Sequence, residues 1–498
     1  MTGFDHLMHG FQIVLTPTNF LICFIGVIIG TLVGVLPGLG PMSAMSIMLP
    51  ISVKYGPLAG LILLAGVWYG AQYGGSTTSI LINVPGEASS IITCIDGYPM
   101  AKKGRAGAAL AISAIGSFVA GTAGIIALQI FAPPLANLAL SFGPPEYFAI
   151  MIFAFIALST LIGDDPLKGA MMIAFGAFLS TIGIDRIEGI QRFTMGIPTM
   201  MYGISFIPVA IGTFGIAEII RLSLHPYTPI QAKSVRFRDL YLNREELRRS
   251  ILPICRGSLI GCLFGLLPGT PAVLASFTSY TIEKNISPRK EEFGHGAIEG
   301  VAGPESSNNS AVIIGLIPLL CLGIPFAPAA AILLAGLQMH DVIPGPMLFR
   351  DNPDIFWGVV AALYIGNFLL LILNLPLVGL FARVATLPIQ FMAPIIGIIC
   401  LIGCYTIRMA LFDVWVMVIS GIIGYFLMRL RFNLIPLIIG MVLGPILEDN
   451  LRTTIQWMNK DIYSLFERHI TIIIFILIPI YIIFIKKIGK KIIKLDIS

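Results

Sequence analysis

Apolar runs of membrane-spanning length follow one another along almost the whole chain, near 19–36, 57–72, 107–131, 146–162, 168–184 and 201–222, then near 251–267, 311–336, 355–380, 389–405, 410–428, 432–446 and 469–485. About 20 apolar residues cross a bilayer as a helix. The chain has 498 residues, of which only 11% are charged, against about 25% in an average soluble domain. A water-soluble globule is thereby excluded. The fold expected is an all-α polytopic membrane protein with about 11–12 transmembrane helices and no sizeable soluble domain. Two shorter apolar pieces, 41–52 and 271–282, fall below spanning length and read as re-entrant, half-membrane structure.

The longest polar interval, 223–250, carries Lys233, Arg236, Arg238, Arg244, Arg248 and Arg249. It divides the chain into a first transmembrane repeat (1–222), a cytoplasmic linker (223–250), a second repeat (251–485) and a basic cytoplasmic tail (486–498). Positive residues stay on the cytoplasmic side, so the C-terminus is expected inside and the N-terminus, free of basic residues before Lys54, outside. The net charge of +5 is dispersed along membrane flanks, which argues against nucleic acid as a partner. With no basic residue ahead of the first apolar run, a cleaved signal peptide is not expected. Seven cysteines show no CxxC pair and no zinc spacing, so free thiols and no structural metal are expected.

The chain also repeats itself. Gly30, Gly34, Leu36, Pro37 and Gly38 recur 231 residues later as Gly261, Gly265, Leu267, Pro268 and Gly269. The same offset carries Ser76, Thr77, Thr78 and Ser79 onto Ser307, Asn308, Asn309 and Ser310 without a gap. Two motifs in one register point to an internal duplication. An outside start and an inside midpoint fit two halves inserted in opposite senses.

Proline in a helix interior removes an amide donor and clashes with the preceding turn, at about 3 kcal/mol. Leu-Pro-Gly should therefore break each helix, and broken backbone survives in hydrocarbon only where protein shields it or a wet cavity is lined by it. Pro37, Gly38, Gly40 and Pro41, with Pro268, Gly269 and Pro271, mark two such points; Gly34, Pro85, Gly86, Gly323 and Pro325 are further break or hinge candidates. Taken singly, each Leu-Pro-Gly also suits an ordinary interfacial turn.

Two polar boxes accompany the breaks. The first runs Ser76-Thr77-Thr78-Ser79 to Asn83 and Glu87, the second Glu305-Ser306-Ser307-Asn308-Asn309-Ser310. Small hydroxyl and amide residues ahead of an apolar run read as helix N-caps, and a helix N-terminus offers free N–H groups to a carboxylate. The same oxygens are neutral ligands of the kind sodium uses in discontinuous-helix transporters. Such residues also serve plain helix packing. Glu305 is an intramembrane acid and so a candidate for an ion or gating role, with Glu87 behind it; Asp164, Asp165, Asp185, Arg186, Glu188, Arg408 and Asp413 read as interfacial or paired structural charges. No phosphate loop, dinucleotide fingerprint or HExxH set is present, which leaves ATP, nicotinamide cofactors and zinc without a site. A serine hydrolase built from His295 and Ser307 has no local support.

The stretches GVLPGLGPMSAMSIMLP (34–50), YGGSTTSILINVPGEASS (73–90), DGYPMAKKGRAGAALA (96–111), LPGTPAVLASFTSYTIEK (267–284), GAIEGVAGPESSNNSA (296–311) and IPLLCLGIPFAPAAAILLAGL (317–337) are similar to those of the large membrane subunit of tripartite tricarboxylate transporters. The resemblance implies a permease of the bacterial inner membrane, not an enzyme. Its expected partners are a small membrane subunit, a periplasmic solute-binding protein and the lipid bilayer; a homo-oligomer is allowed. It implies uptake of a carboxylate such as a tricarboxylate, driven by an ion gradient with sodium as the expected coupling ion and no other cofactor. The boxes also resemble the paired signatures of divalent anion/sodium symporters, where inverted repeats bring hairpin tips to the ligand. Box one has Ser-Thr-Thr-Ser in place of an asparagine, and Phe326 stands where a small residue is expected. The alternative class is a membrane-embedded enzyme or sensor subunit that binds a carboxylate without translocating it.

Overall fold

Proline and glycine punctuate the apolar runs, and in the computed structural model eight of the α-helices start on a proline. The structure describes residues 3–36, 40–161, 165–185, 187–224, 237–384, 389–458 and 467–495. Pro37 and Gly38 lie outside the described residues, as do Asp164, Arg186 and 225–236 of the expected linker.

α1 (Gly3–Val14) precedes α2 (Pro17–Val35), which ends at the first Leu-Pro-Gly; α3 (Pro41–Ser52) starts just beyond it, and α4 (Pro57–Ile82) follows. A proline at the first helical position loses only an amide that has no helical partner. α5 (Ile91–Lys102), α6 (Ala106–Ala139), α7 (Pro144–Leu161) and α8 (Pro166–Ser180) come next. A small antiparallel hairpin, β1 (Gly183–Ile184) with β2 (Gln191–Arg192), departs from the all-helical expectation. α9 (Phe206–Ala210) then passes through a π-helical stretch, Ile211–Ile216, into α10 (Ala217–Leu224).

α11 (Arg244–Phe264) begins inside the expected linker. Asn243 caps it reciprocally: Glu246 N–H donates to Asn243 Oδ1 and Asn243 N–H to Glu246 Oε2, each at 2.8 Å. α12 (Pro271–Ile286), α13 (Glu299–Ile314), α14 (Leu316–Leu322), α15 (Pro328–Met339), α16 (Leu348–Asp351) and α17 (Pro353–Asn374) follow. α18 (Val378–Val384), α19 (Ile389–Arg408), α20 (Leu411–Arg429), α21 (Ile435–Met458) and α22 (His469–Leu495) complete the chain. Among the described residues, five helical segments are long and apolar enough to cross a membrane: α2, α6, α13 with α14, α17 and α20.

Glycine seams set the packing. A Cβ added at Gly26, Gly30 or Gly34 of α2 would lie 2.8, 2.3 and 2.3 Å from the carbonyl oxygens of Leu63, Val67 and Ala71 of α4. At Gly257, Gly261 and Gly265 of α11 it would lie 2.3, 2.2 and 2.8 Å from those of Gly303, Ser307 and Ala311 of α13. Each seam is therefore a parallel helix pair in backbone contact. The glycines keep the offset of 231, but their partners are 240 apart, so Ser76–Ser79 do not occupy the places of Ser307–Ser310. The connection after the hairpin is longer in the second unit (287–298) than in the first (53–56), which shifts the register. At 240, Asn83 (φ 57°) falls on Gly323 (φ 71°), and both close a helix in the left-handed conformation.

α6 shows the relative sense of the two units. Ser113, Ser117 and Ala132 stand level with Glu305, Asn309 and Cys321, so α6 runs with α13 and α14. α4 runs against it, since Ser76 shares the Glu305 level with Ser113 while the Tyr69 hydroxyl packs on Gly121. The α2–α3 and α11–α12 hairpins thus enter from opposite ends.

One end is basic. Arg105 pairs with Glu246 and donates to the Tyr241 carbonyl, which brings the Lys102–Arg105 loop to the same end as the start of α11. Arg249 with Glu292 and Glu299, and Arg289 with Glu245, join them there. α22 heads the same way, from Thr471 against Glu146 to Tyr481 against Phe153, because α7 runs away from the far end of α6. At the opposite end Asp185 pairs with Arg192 and Arg452, and Arg408 with Asp413. Backbone N–H groups of Glu188 and Ile187 hold the Asp185 carboxyl below the usual carboxylate range. These charges are paired and structural, as the sequence suggests for Asp185, Arg408 and Asp413.

Gly30→Ala or Gly261→Ala should each destabilise the protein by about 1–3 kcal/mol through overpacking of a seam. Gly40→Ala, where an added Cβ meets nothing within 4 Å, should not. Thermal unfolding of purified protein in detergent measures all three.

Candidate functional site

Neither polar box caps a helix. Ser76–Ser79 lie near the end of the 26-residue α4, and Glu305–Ser310 lie in the middle of α13, all of them buried. The reading of the boxes as helix N-caps is thereby corrected. In a bilayer these hydroxyls satisfy themselves against their own helix instead of capping. Thr78 and Ser79 each donate to the Gly75 carbonyl at 3.0 Å, Ser306 to Ala302 at 2.7 Å, Ser307 to Pro304 at 2.9 Å and Ser310 to Ser306 at 3.1 Å. Thr77 is buried on the same turn of α4.

The boxes do meet, at Glu305. Ser76 Oγ donates to Glu305 Oε2 at 2.6 Å, Ser113 Oγ to the same oxygen at 3.2 Å, and Thr93 Oγ1 to Glu305 Oε1. The carboxylate is fully buried, and no ion pair reaches it among the described residues. One turn further along α13, Asn309 Nδ2 donates to Ser117 Oγ at 2.7 Å and to Asn308 Oδ1 at 2.5 Å. Asn309 Oδ1 and Asn308 Nδ2 are buried with no hydrogen-bond partner.

Helix N-termini converge at a second place. A cavity of about 220 Å³ is lined by Gly40–Met42 at the start of α3, Thr270–Val273 at the start of α12 and Ala327–Ala329 at the start of α15. Glu87–Ser89 of the loop after α4 close it, with Trp68 and Gln72 of α4, Val312 of α13 and Ile435 of α21. The breaks reach the cavity by close packing. A Cβ on Gly86 would meet the Gly34 carbonyl at 2.3 Å, and Gly269 (φ 121°) donates its N–H to the Phe326 carbonyl at 2.8 Å. Pro85 and Pro325 sit in these two return loops, and Pro268 accepts from the Tyr481 hydroxyl at 3.2 Å. The Phe326 side chain packs with Ile150 and Ile439, leaving Ala327 on the cavity wall. Ser89 donates to Glu87 and, at 3.5 Å, to Gln72 Oε1.

A larger recess, about 740 Å³, lies elsewhere, among loops at the end opposite the basic one. Its arginine, Arg408, is already bound to Asp413, and no helix starts into it apart from α9. The convergence of breaks marks the smaller cavity as the candidate binding site.

Several of these residues escaped the sequence reading. Ser113 and Ser117, four apart on an apolar helix, carried a readable signal as a polar stripe; Thr93, Gln72 and Thr270 carried none. Asp96 also went unread: its Oδ1 accepts the N–H groups of Gly294 (2.9 Å), Gly296 (2.7 Å) and Ala297 (2.9 Å), and its Oδ2 the Tyr280 hydroxyl (2.9 Å). It pins α5 of the first unit to the α12–α13 connection of the second.

A sequence model described as "Tripartite tricarboxylate transporter TctA family" matches residues 20–439. The chain is 48% identical over 448 residues to an "Uncharacterized 52.8 kDa protein in TAR-I ttuC' 3'region" of Agrobacterium vitis, covering 90% of this chain and 89% of that one. It is 50% identical over 192 residues to an "Uncharacterized protein in TAR-II ttuC' 3'region" of the same organism, covering 39% of this chain and 79% of that one. No solved structure matches.

Asp96→Ala should leave three N–H groups and the Tyr280 hydroxyl without their acceptor, at a cost of at least about 3 kcal/mol, with Asp96→Asn in between. Thermal unfolding checks the order.

Proposed function

We propose that this chain, which belongs to the tripartite tricarboxylate transporter TctA family and is thus a multi-pass membrane transporter subunit and not an enzyme, imports a carboxylate through the cavity between its helix breaks, driven by a cation gradient. The observation that carries the reading is the meeting of three helix N-termini, those of α3, α12 and α15, at one cavity. Their unpaired N–H groups and dipoles favour an anion without a buried lysine or arginine. The volume suits a small metabolite, being under the range of about 300–1,000 Å³ that holds drug-sized ligands.

On this reading the two units are inverted copies. The opposite senses of α4 and α13 support it, as does the cavity's own composition. Gln72 and Val312, 240 apart, face it from the two units, and so do Gly40–Pro41 and Pro271–Ala272, 231 apart. Binding at the interface of inverted repeats between discontinuous helices is the arrangement of many secondary transporters. The basic end then faces the cytoplasm and the α1 end the outside, the second repeat starts at Arg244, and sodium is the coupling ion, with the box oxygens and Glu305 available to it. A recess of about 390 Å³ shares Gly40, Met42 and Ile435 with the cavity, at the opposite end of α21 from the large recess, and supplies the route to the cytoplasm. A small membrane subunit and a soluble solute-binding protein complete the tripartite system, the latter delivering the carboxylate from the periplasm of the bacterial inner membrane.

In proteoliposomes holding all three components, carboxylate accumulation should require an inward sodium gradient; accumulation energised by ATP alone would reject the proposal. Ala272→Trp and Ala329→Trp, which fill the cavity, should each reduce uptake at least about 100-fold while the protein still unfolds cooperatively. Uptake at the normal rate in both would move the substrate elsewhere.

A further inference from the structure

Glu305 is a carboxylate with hydroxyl donors and, among the described residues, no counter-charge. Ser76, Thr93 and Ser113 come from three different helices, α4, α5 and α6, to surround it, and none of them can neutralise it. A buried ionised acid stays buried only when a cation or a proton is bound to it. One turn away the side-chain oxygen of Asn309 is buried without a partner, on the face where Ser113 and Ser117 repeat at four-residue spacing. The Gln72 carbonyl adds a further oxygen at this level, since Ser76 Oγ lies 3.2 Å from it.

We infer that this cluster is a binding site for one sodium ion, separate from the carboxylate's cavity. The donor set is one carboxylate, three hydroxyls, an amide oxygen and a main-chain carbonyl: hard oxygens with a single negative charge. A monovalent cation is neutralised there, whereas calcium and magnesium use more carboxylates or retain water. Among the described residues no group of three or more His, Cys, Asp or Glu side chains gathers there to favour a transition metal. The ion draws Ser76 of the first unit and Glu305 of the second onto one centre. Gln72, on the same turn as Ser76, lines the cavity, and so the ion's occupancy bears on the carboxylate's wall.

The site is single because the other unit has closed its counterpart. In the seam register Glu305 corresponds to Ala65 and Asn309 to Tyr69. Tyr69 and Tyr73 both donate to Asn367 Oδ1 at 2.8 Å, and Asn367 Nδ2 donates to the Phe118 carbonyl at 2.9 Å and to Thr122 Oγ1 at 3.0 Å. Among the described residues that node carries no acid, and its amide has all its hydrogen-bond partners.

The inference rests on cation-coupled transport, and two readouts keep the two apart. Sodium chloride, compared with choline chloride at equal ionic strength, should raise the unfolding temperature of the purified full-length protein. In Ser113→Ala the half-saturating sodium concentration should rise at least about tenfold, both for this shift and for uptake by the reconstituted three-component system. Glu305→Gln should unfold cooperatively but lose the shift, and wild-type uptake should depend on sodium with a Hill coefficient near 1. A sodium shift that persists unchanged in both variants places the ion elsewhere and overturns the inference. Stabilisation of the wild type by acid instead of sodium, lost in Glu305→Gln, also overturns it, in favour of a proton. A Hill coefficient of 2 or more overturns the single site. If sodium stabilises through Glu305 while uptake ignores it, the site stands and the coupling in the transport reading falls.

Discussion

Everything in this molecule depends on helices packing backbone against backbone. Where an ordinary helix pair is held apart by side chains, α2 on α4 and α11 on α13 meet through glycine Cα atoms and carbonyl oxygens. Hydrocarbon solvates no peptide group, so chain that leaves helical geometry there must be enclosed by other chain. The seams do this. They draw each hairpin against a long helix, and at the second break the Gly269 N–H is held by the Phe326 carbonyl.

From that enclosure the polar interior follows. Three helix starts with unpaired N–H groups face one space, while a few residues along α4 and α13 a lone carboxylate gathers hydroxyls from three helices. The cavity and the Glu305 cluster are joined through one turn of α4, from Gln72 to Ser76. Small side chains make the spacing possible, because no larger residue fits where Gly75 faces Gly86 or where Gly116 faces Ser306.

Hydropathy made the helices legible, and proline with glycine made the breaks legible, because both reflect local costs that every such residue incurs. The meeting of Ser76 with Glu305 was legible as a pair of motifs but not as a geometry. Ser, Thr and Asn ahead of an apolar run look like a cap in any solvent; only tertiary packing shows that they are mid-helix and bonded to their own preceding turn. The ungapped offset of 231 misled in the same way. Gly30 and Gly261 keep the offset of 231 in their seams, but with a longer α12 and a longer connection at 287–298 their partners stand 240 apart, and sequence alone offers no means of telling a chance match of small polar residues from a structural one. Thr93 and Gln72 were invisible because nothing in their neighbourhood distinguishes them from packing residues. Asn243 with Glu246 is a capping box that starts α11 among charged residues, a signal that hydropathy alone passes over.

Asp96 has a mechanical consequence. Its four bonds fasten α5 to the α12–α13 connection, whereas α5 leaves α4 through a return loop of only a few residues. Any rigid displacement of the second hairpin therefore carries α5 along and strains the loop at Glu87–Ser89, which is part of the cavity wall. A pull on the α12–α13 connection would thus be felt first at residues 83–90, through a helix that the cavity itself never touches.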